Sequence, residues 1–137
     1  MIRSTFAVLL GLVIALVAML LLEYLGMSLF PLPPGVELDN EADLAHIVES
    51  ASIGKQLWVL MGWSLAAFVG GWVAAKTSLR HCSGAALWVG GLIVAGVLLN
   101  VALLPHPVWM TVLGVLLPLP AAWVAARLAR SHLPPST

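Results

Sequence analysis

Five side chains carry most of the chemistry that this sequence offers: Glu23, Asn100, His106, Trp63 and His46. Glu23 interrupts a long apolar run and stands about 10 Å below the helix end expected at Pro31. A carboxylate at that depth must face the protein interior, find a partner or take up a proton. Asn100 precedes Pro105 by a few residues and so has a similar depth. His106 sits between Pro105 and Pro107, Trp63 lies at a comparable depth in another apolar run, and His46 lies in the polar loop above. Two readings follow. In one, Glu23 is the titrating group of a proton or cation site open to the outside. In the other, Glu23 and Asn100 are interhelical hydrogen-bonding glue, worth about 0.6–2 kcal/mol each, and His106 caps or anchors at the interface. Glu23, His106 and His46 have metal-ligand chemistry, but no spacing motif joins them. No nucleophilic triad, phosphate loop or nucleotide fingerprint is present, so no enzyme, cofactor or metal is expected.

The surroundings of these residues are those of a membrane protein. Of 137 residues, 61% are hydrophobic and 9% charged, and mean hydropathy is +1.06. A soluble domain carries about a quarter charged residues and could not cover this much apolar surface; lipid solvates it directly. The zero net charge gives no basic excess to attract nucleic acid. The lone Cys82 excludes an intrachain disulfide, a Cys-x-x-Cys redox pair and a thiolate zinc site. The first apolar run is too long for a signal peptide and no small-x-small cleavage site follows it, so it reads as a retained helix.

Four spans are expected, at about residues 4–30, 56–76, 84–104 and 107–130, each near the ~20 residues that cross the hydrocarbon core. Arg3, Lys76, Arg80, Arg127 and Arg130 flank one set of ends and only Lys55 flanks the other. The positive-inside rule then puts the N- and C-termini in the cytoplasm and residues 31–55 outside. Glu37, Asp39, Glu41, Asp43 and Glu49 fall in that outer loop. Prolines 31, 33 and 34 stop the first helix. Asn40 is a fitting N-cap for a short helix that would place Leu44, Ile47 and Val48 on one face, toward the membrane surface or the bundle mouth.

The second and fourth spans look like repeats. Trp58 and Trp109 stand at the same interval as Trp72 and Trp123, and Trp72-Val-Ala-Ala-Lys76 matches Trp123-Val-Ala-Ala-Arg127. Leu21-Leu22-Glu23 likewise matches Leu98-Leu99-Asn100. A duplicated hairpin would relate the halves by a pseudo-twofold axis along the membrane normal; chance matching in apolar sequence is the competing account. Gly62, Ala66, Gly70 and Ala74, with Gly71 beside them, form a small-residue ladder that lets helices approach closely, either in the bundle core or at a homodimer face. Pro118 and Pro120 should kink the fourth span.

The patterns Glu23-x-x-Gly26, Pro31-x-Pro33-x-Gly35 and Pro105-His106-Pro107-x-Trp109 resemble a widespread group of small four-helix bacterial inner-membrane proteins. The resemblance covers most of the chain and implies the four-span topology and a bacterial inner membrane, with no activity attached. The small size and a Glu in the first helix are also similar to the small multidrug resistance transporters, from which the long acidic loop and clear charge bias set this chain apart.

The expectation is therefore an all-α, four-helix transmembrane bundle forming one domain over 1–137, with two repeated helical hairpins as a variant and a short amphipathic helix in the outer loop. Functionally it is a non-enzymatic module assembling in the lipid bilayer, as a homodimer or with a larger envelope membrane complex. The alternative is a proton- or cation-coupled small transporter using Glu23.

Overall fold

A computed structural model describes residues 2–32, 34–35, 40–78 and 82–130. Pro33, Glu37, Asp39 and Arg80, all used above, lie outside the described residues. The described chain is all-helical: α1 (Ile2–Leu29), α2 (Glu41–Glu49), α3 (Ile53–Thr77), α4 (Cys82–Leu103), α5 (Val108–Leu116) and α6 (Pro118–Arg130). Four stretches are long and apolar enough to cross a membrane: Ser4–Leu29, Ile53–Thr77, Cys82–Leu103 and Val108–Arg130.

The helix ends follow local chemistry. Asn40 caps α2, its side chain accepting from the amide of Ala42 at 3.1 Å. Ser52 caps α3 by accepting from Lys55 N at 3.3 Å, so α3 starts earlier than its apolar run and takes Lys55 into its first turn. Pro107 opens α5. The fourth span breaks at Leu117, between α5 and α6, because Pro118 has no N–H to give to the Gly114 carbonyl. Helical bonding resumes with Ala121 N donating to Leu117 O at 3.1 Å.

α3 is the most buried span. Gly62, Ala66, Gly70, Gly71 and Ala74 are all buried within this one chain, so the ladder is a bundle-core device. Its two edges serve different neighbours. A Cβ on Gly70 would fall 2.5 Å from the Gly11 carbonyl oxygen and 2.6 Å from Ala15 Cβ, so α1 and α3 touch backbone to backbone. A Cβ on Gly71 would instead meet Ala122 of α6 at 3.2 Å. Val89 of α4 fills the remaining corner, fully buried against Gly11 and Gly70.

The repeat has a counterpart in these contacts. Trp63 lies against Gly114 and Gly71 against Ala122. Both pairs are separated by the same interval as Trp58 and Trp109, so α3 and the α5–α6 span run parallel with repeat mates in contact. At the far end Lys76 lies over Trp72 at 5.7 Å and Arg127 over Trp123 at 3.8 Å, the same i, i+4 pairing in each half. The symmetry is incomplete: α4 packs on α3, whereas α1 has no packing contact with α6.

Candidate functional site

One face of each of three helices meets at the C-terminal end of α1. From α1 come Met19, Leu22, Glu23, Gly26 and Met27, an i, i+3, i+4 stripe that Phe30 continues just past the helix end. α3 supplies Lys55, Trp58, Val59, Gly62 and Trp63 at the same spacing. α2 lays Leu44, Ile47 and Val48 across the top, so the apolar face of the loop helix covers the bundle mouth. Together they enclose a cavity of about 170 Å³ that remains partly open.

Its walls are apolar apart from two charges, Glu23 and Lys55. Phe30 touches the Gly54 position and Trp58 the Gly26 position, so Lys55 is level with the end of α1. Glu23 lies about 9 Å deeper, at roughly 1.5 Å of rise per residue. Among the described residues no hydrogen bond or ion pair reaches either charged group. Two opposite charges thus line one cavity without neutralising each other.

Trp58 is the device that spaces α1 from α3. Its Nε1 donates to the Leu22 carbonyl oxygen at 2.9 Å. Only a glycine fits beneath the ring, since a Cβ at Gly26 would come 2.8 Å from that Nε1. Trp63, 5% exposed, closes the floor and also touches Gly114, linking the cavity wall to α5. His106 stands beside it, with ring centroids 6.0 Å apart at 50°, and its Nδ1 is 2.8 Å from the Leu104 carbonyl oxygen. His106 also lines a smaller neighbouring cavity of about 60 Å³ with Gln56 and Met110. Gln56, 8% exposed, donates from Nε2 to Ala51 O at 3.1 Å and secures the turn between α2 and α3.

Of the five residues singled out in the sequence, Glu23 and Trp63 share the cavity and His106 abuts Trp63. Asn100 does not join them: it lines neither cavity, and both it and Glu23, which stands at the open side of the larger one, are exposed. His46 is exposed on α2. Depth alone had placed all five in one layer, whereas the turn of each helix about its axis separates them. Among the described residues no three of His, Cys, Asp and Glu come together as a metal-binding group. Lys55, Trp58 and Gln56 were not singled out. The expected span at 56–76 already held Gln56 and Trp58; the available signal for Lys55 was the Ser52 cap, which starts α3 at Ile53 and puts Lys55 on the helix.

No family model, curated protein or solved structure matches this chain. The fold fits a small multi-pass membrane protein, with a largely apolar, carboxyl-bearing cavity at the C-terminal end of α1.

Proposed function

We propose that this is a non-enzymatic protein of the bacterial inner membrane, with the starts of α1 and α4 on the cytoplasmic side, that binds a cation at its outer mouth. It works as a small proton- or cation-coupled transporter with Glu23 as the carrier group. The observation supporting this is that Glu23 lines a cavity whose wall is apolar but for Lys55, and has no partner among the described residues. An uncompensated carboxylate within a span is costly and is kept where it serves a pathway or a ligand. Among the described residues Lys55 is the only other ionisable residue in the cavity wall, at the outer rim. The broken fourth span adds a bend whose two segments, α5 and α6, both pack on α3. In proteoliposomes, an imposed proton or cation gradient should drive uptake that falls tenfold or more in Glu23→Gln. Unchanged uptake in a folded Glu23→Gln protein would remove this reading.

A second reading, an assembly module, now draws on α4 rather than α3. Gly91 and Gly96 have open space where a side chain would extend, and Asn100 is exposed on the same helix. A helix packing there would gain close approach and an amide partner. Gly96→Leu should then dissociate an oligomer while leaving each bundle folded. Gly70→Leu should unfold the bundle itself, because its side chain would enter the Gly11 backbone. A monomer by native mass spectrometry for both wild type and Gly96→Leu would discard the assembly reading.

A further inference from the structure

The cavity has an order of charge as well as a size, and together they select a class of ligand. We infer that it takes a small lipophilic amine, with the protonated nitrogen on Glu23 and the apolar body against the surrounding wall. This rests on reading Glu23 as a cation site and names what that site accepts.

Three observations carry it. First, the volume of about 170 Å³ is close to that of engineered apolar cavities of ~150 Å³ that accommodate one benzene ring. The body is therefore about the size of one ring or a short alkyl chain. Second, Met19, Leu22, Met27 and Val59 give an apolar wall around a single carboxylate. A bare metal ion or a strongly hydrated solute would find no oxygen ligands there to replace its water, whereas an amine needs only one charge-assisted hydrogen bond. The thioethers of the two methionines adapt to ligand shape. Third, the acid is deep and the base shallow, by about 9 Å along α1. A zwitterionic phospholipid aligned with the outer leaflet carries these charges in the opposite order, phosphate inward and ammonium outward. Its phosphate would face Glu23 and its ammonium Lys55. The wall thus rejects the zwitterionic headgroups of the surrounding bilayer and turns an amine inward, away from Lys55. Trp58, held to Leu22 O, sets the width of the slot.

The test uses the full chain in phosphatidylcholine nanodiscs with phenethylamine as probe and 2-phenylethanol as its neutral counterpart of similar size. Binding is read by saturation-transfer NMR and by quenching of tryptophan emission. Phenethylamine should bind at least tenfold more tightly than the alcohol, Glu23→Gln should abolish that difference, and Glu23→Asp should restore part of it. Lys55→Gln should strengthen amine binding, because it removes the like charge at the rim. Equal binding of amine and alcohol, or full amine binding in Glu23→Gln, would overturn the inference. So would a phospholipid retained in native mass spectrometry that phenethylamine cannot displace. Glu23-dependent ion uptake without any amine binding would sink the ligand class and leave the carrier reading standing. Loss of both would remove the carrier reading itself.

Discussion

Glu23 and Asn100 occupy matching positions in the two hairpins and both are exposed, yet Glu23 borders a cavity and Asn100 lines none of those described. The two hairpins are alike in their tryptophan–cation ends and differ at the opposite ends. In the α1–α3 hairpin Trp58 seats over Gly26 and bonds to Leu22 O, leaving space beside it that α2 covers. In the α4–α5–α6 hairpin the mate of Gly26 is Leu103 and the mate of Trp58 is Trp109, both exposed, and a short Pro105-His106-Pro107 link replaces the long loop. At the glycine and acid positions, and in the helix laid over them, the first hairpin builds the larger cavity, and the proposed site rests on these differences.

Making the first half resemble the second should therefore erase the site. Gly26→Leu introduces the residue of the second half beneath Trp58, where even a Cβ would fall 2.8 Å from Nε1. The ring must leave, the bond to Leu22 O is lost and the new side chain occupies the cavity. Overpacking of this kind costs about 1–3 kcal/mol, with about 1 kcal/mol from the lost hydrogen bond. Thermal unfolding in detergent should show that loss, with a red shift of tryptophan emission and no phenethylamine binding. If Gly26→Leu keeps wild-type emission and stability, the glycine is not what separates the halves.

Much of this fold was legible in the sequence, and the reason is physical. Four apolar runs of spanning length, the Asn40 cap, the Leu44-Ile47-Val48 face and the Pro118 break each depend on local composition alone. The ladder was legible because small residues recur at helical spacing; that it belongs to the core followed only once Gly70 was seen against Gly11. What could not be read was rotation about the helix axis. In a soluble helix polar residues mark the outer face, but here the lipid-facing side of α1 is as apolar as the packed side. Glu23 and Asn100 had equal depth and no sequence feature to say which way each turned. The cavity depends on that rotation, and Lys55 was missed because Ser52 starts α3 before the apolar run begins.

The smallest expected effect bears on the shared part of the halves. Arg127 lies 3.8 Å over Trp123, and Lys76 lies 5.7 Å over Trp72, close to the ~6 Å limit of useful cation–π attraction. Arg127→Gln should cost about 0.5–1 kcal/mol and Lys76→Gln less. Double-mutant cycles with Trp123→Leu and Trp72→Leu isolate each coupling from the lost charge and lost packing. Coupling in both cycles, larger for arginine, would mean that the two ends are one repeated device with the stronger copy on α6. Coupling in neither would leave the matching Trp-Val-Ala-Ala segments as interfacial composition alone. The likeness of the halves would then rest on the contacts of Trp63 with Gly114 and of Gly71 with Ala122, which place repeat mates against one another whatever the charges contribute.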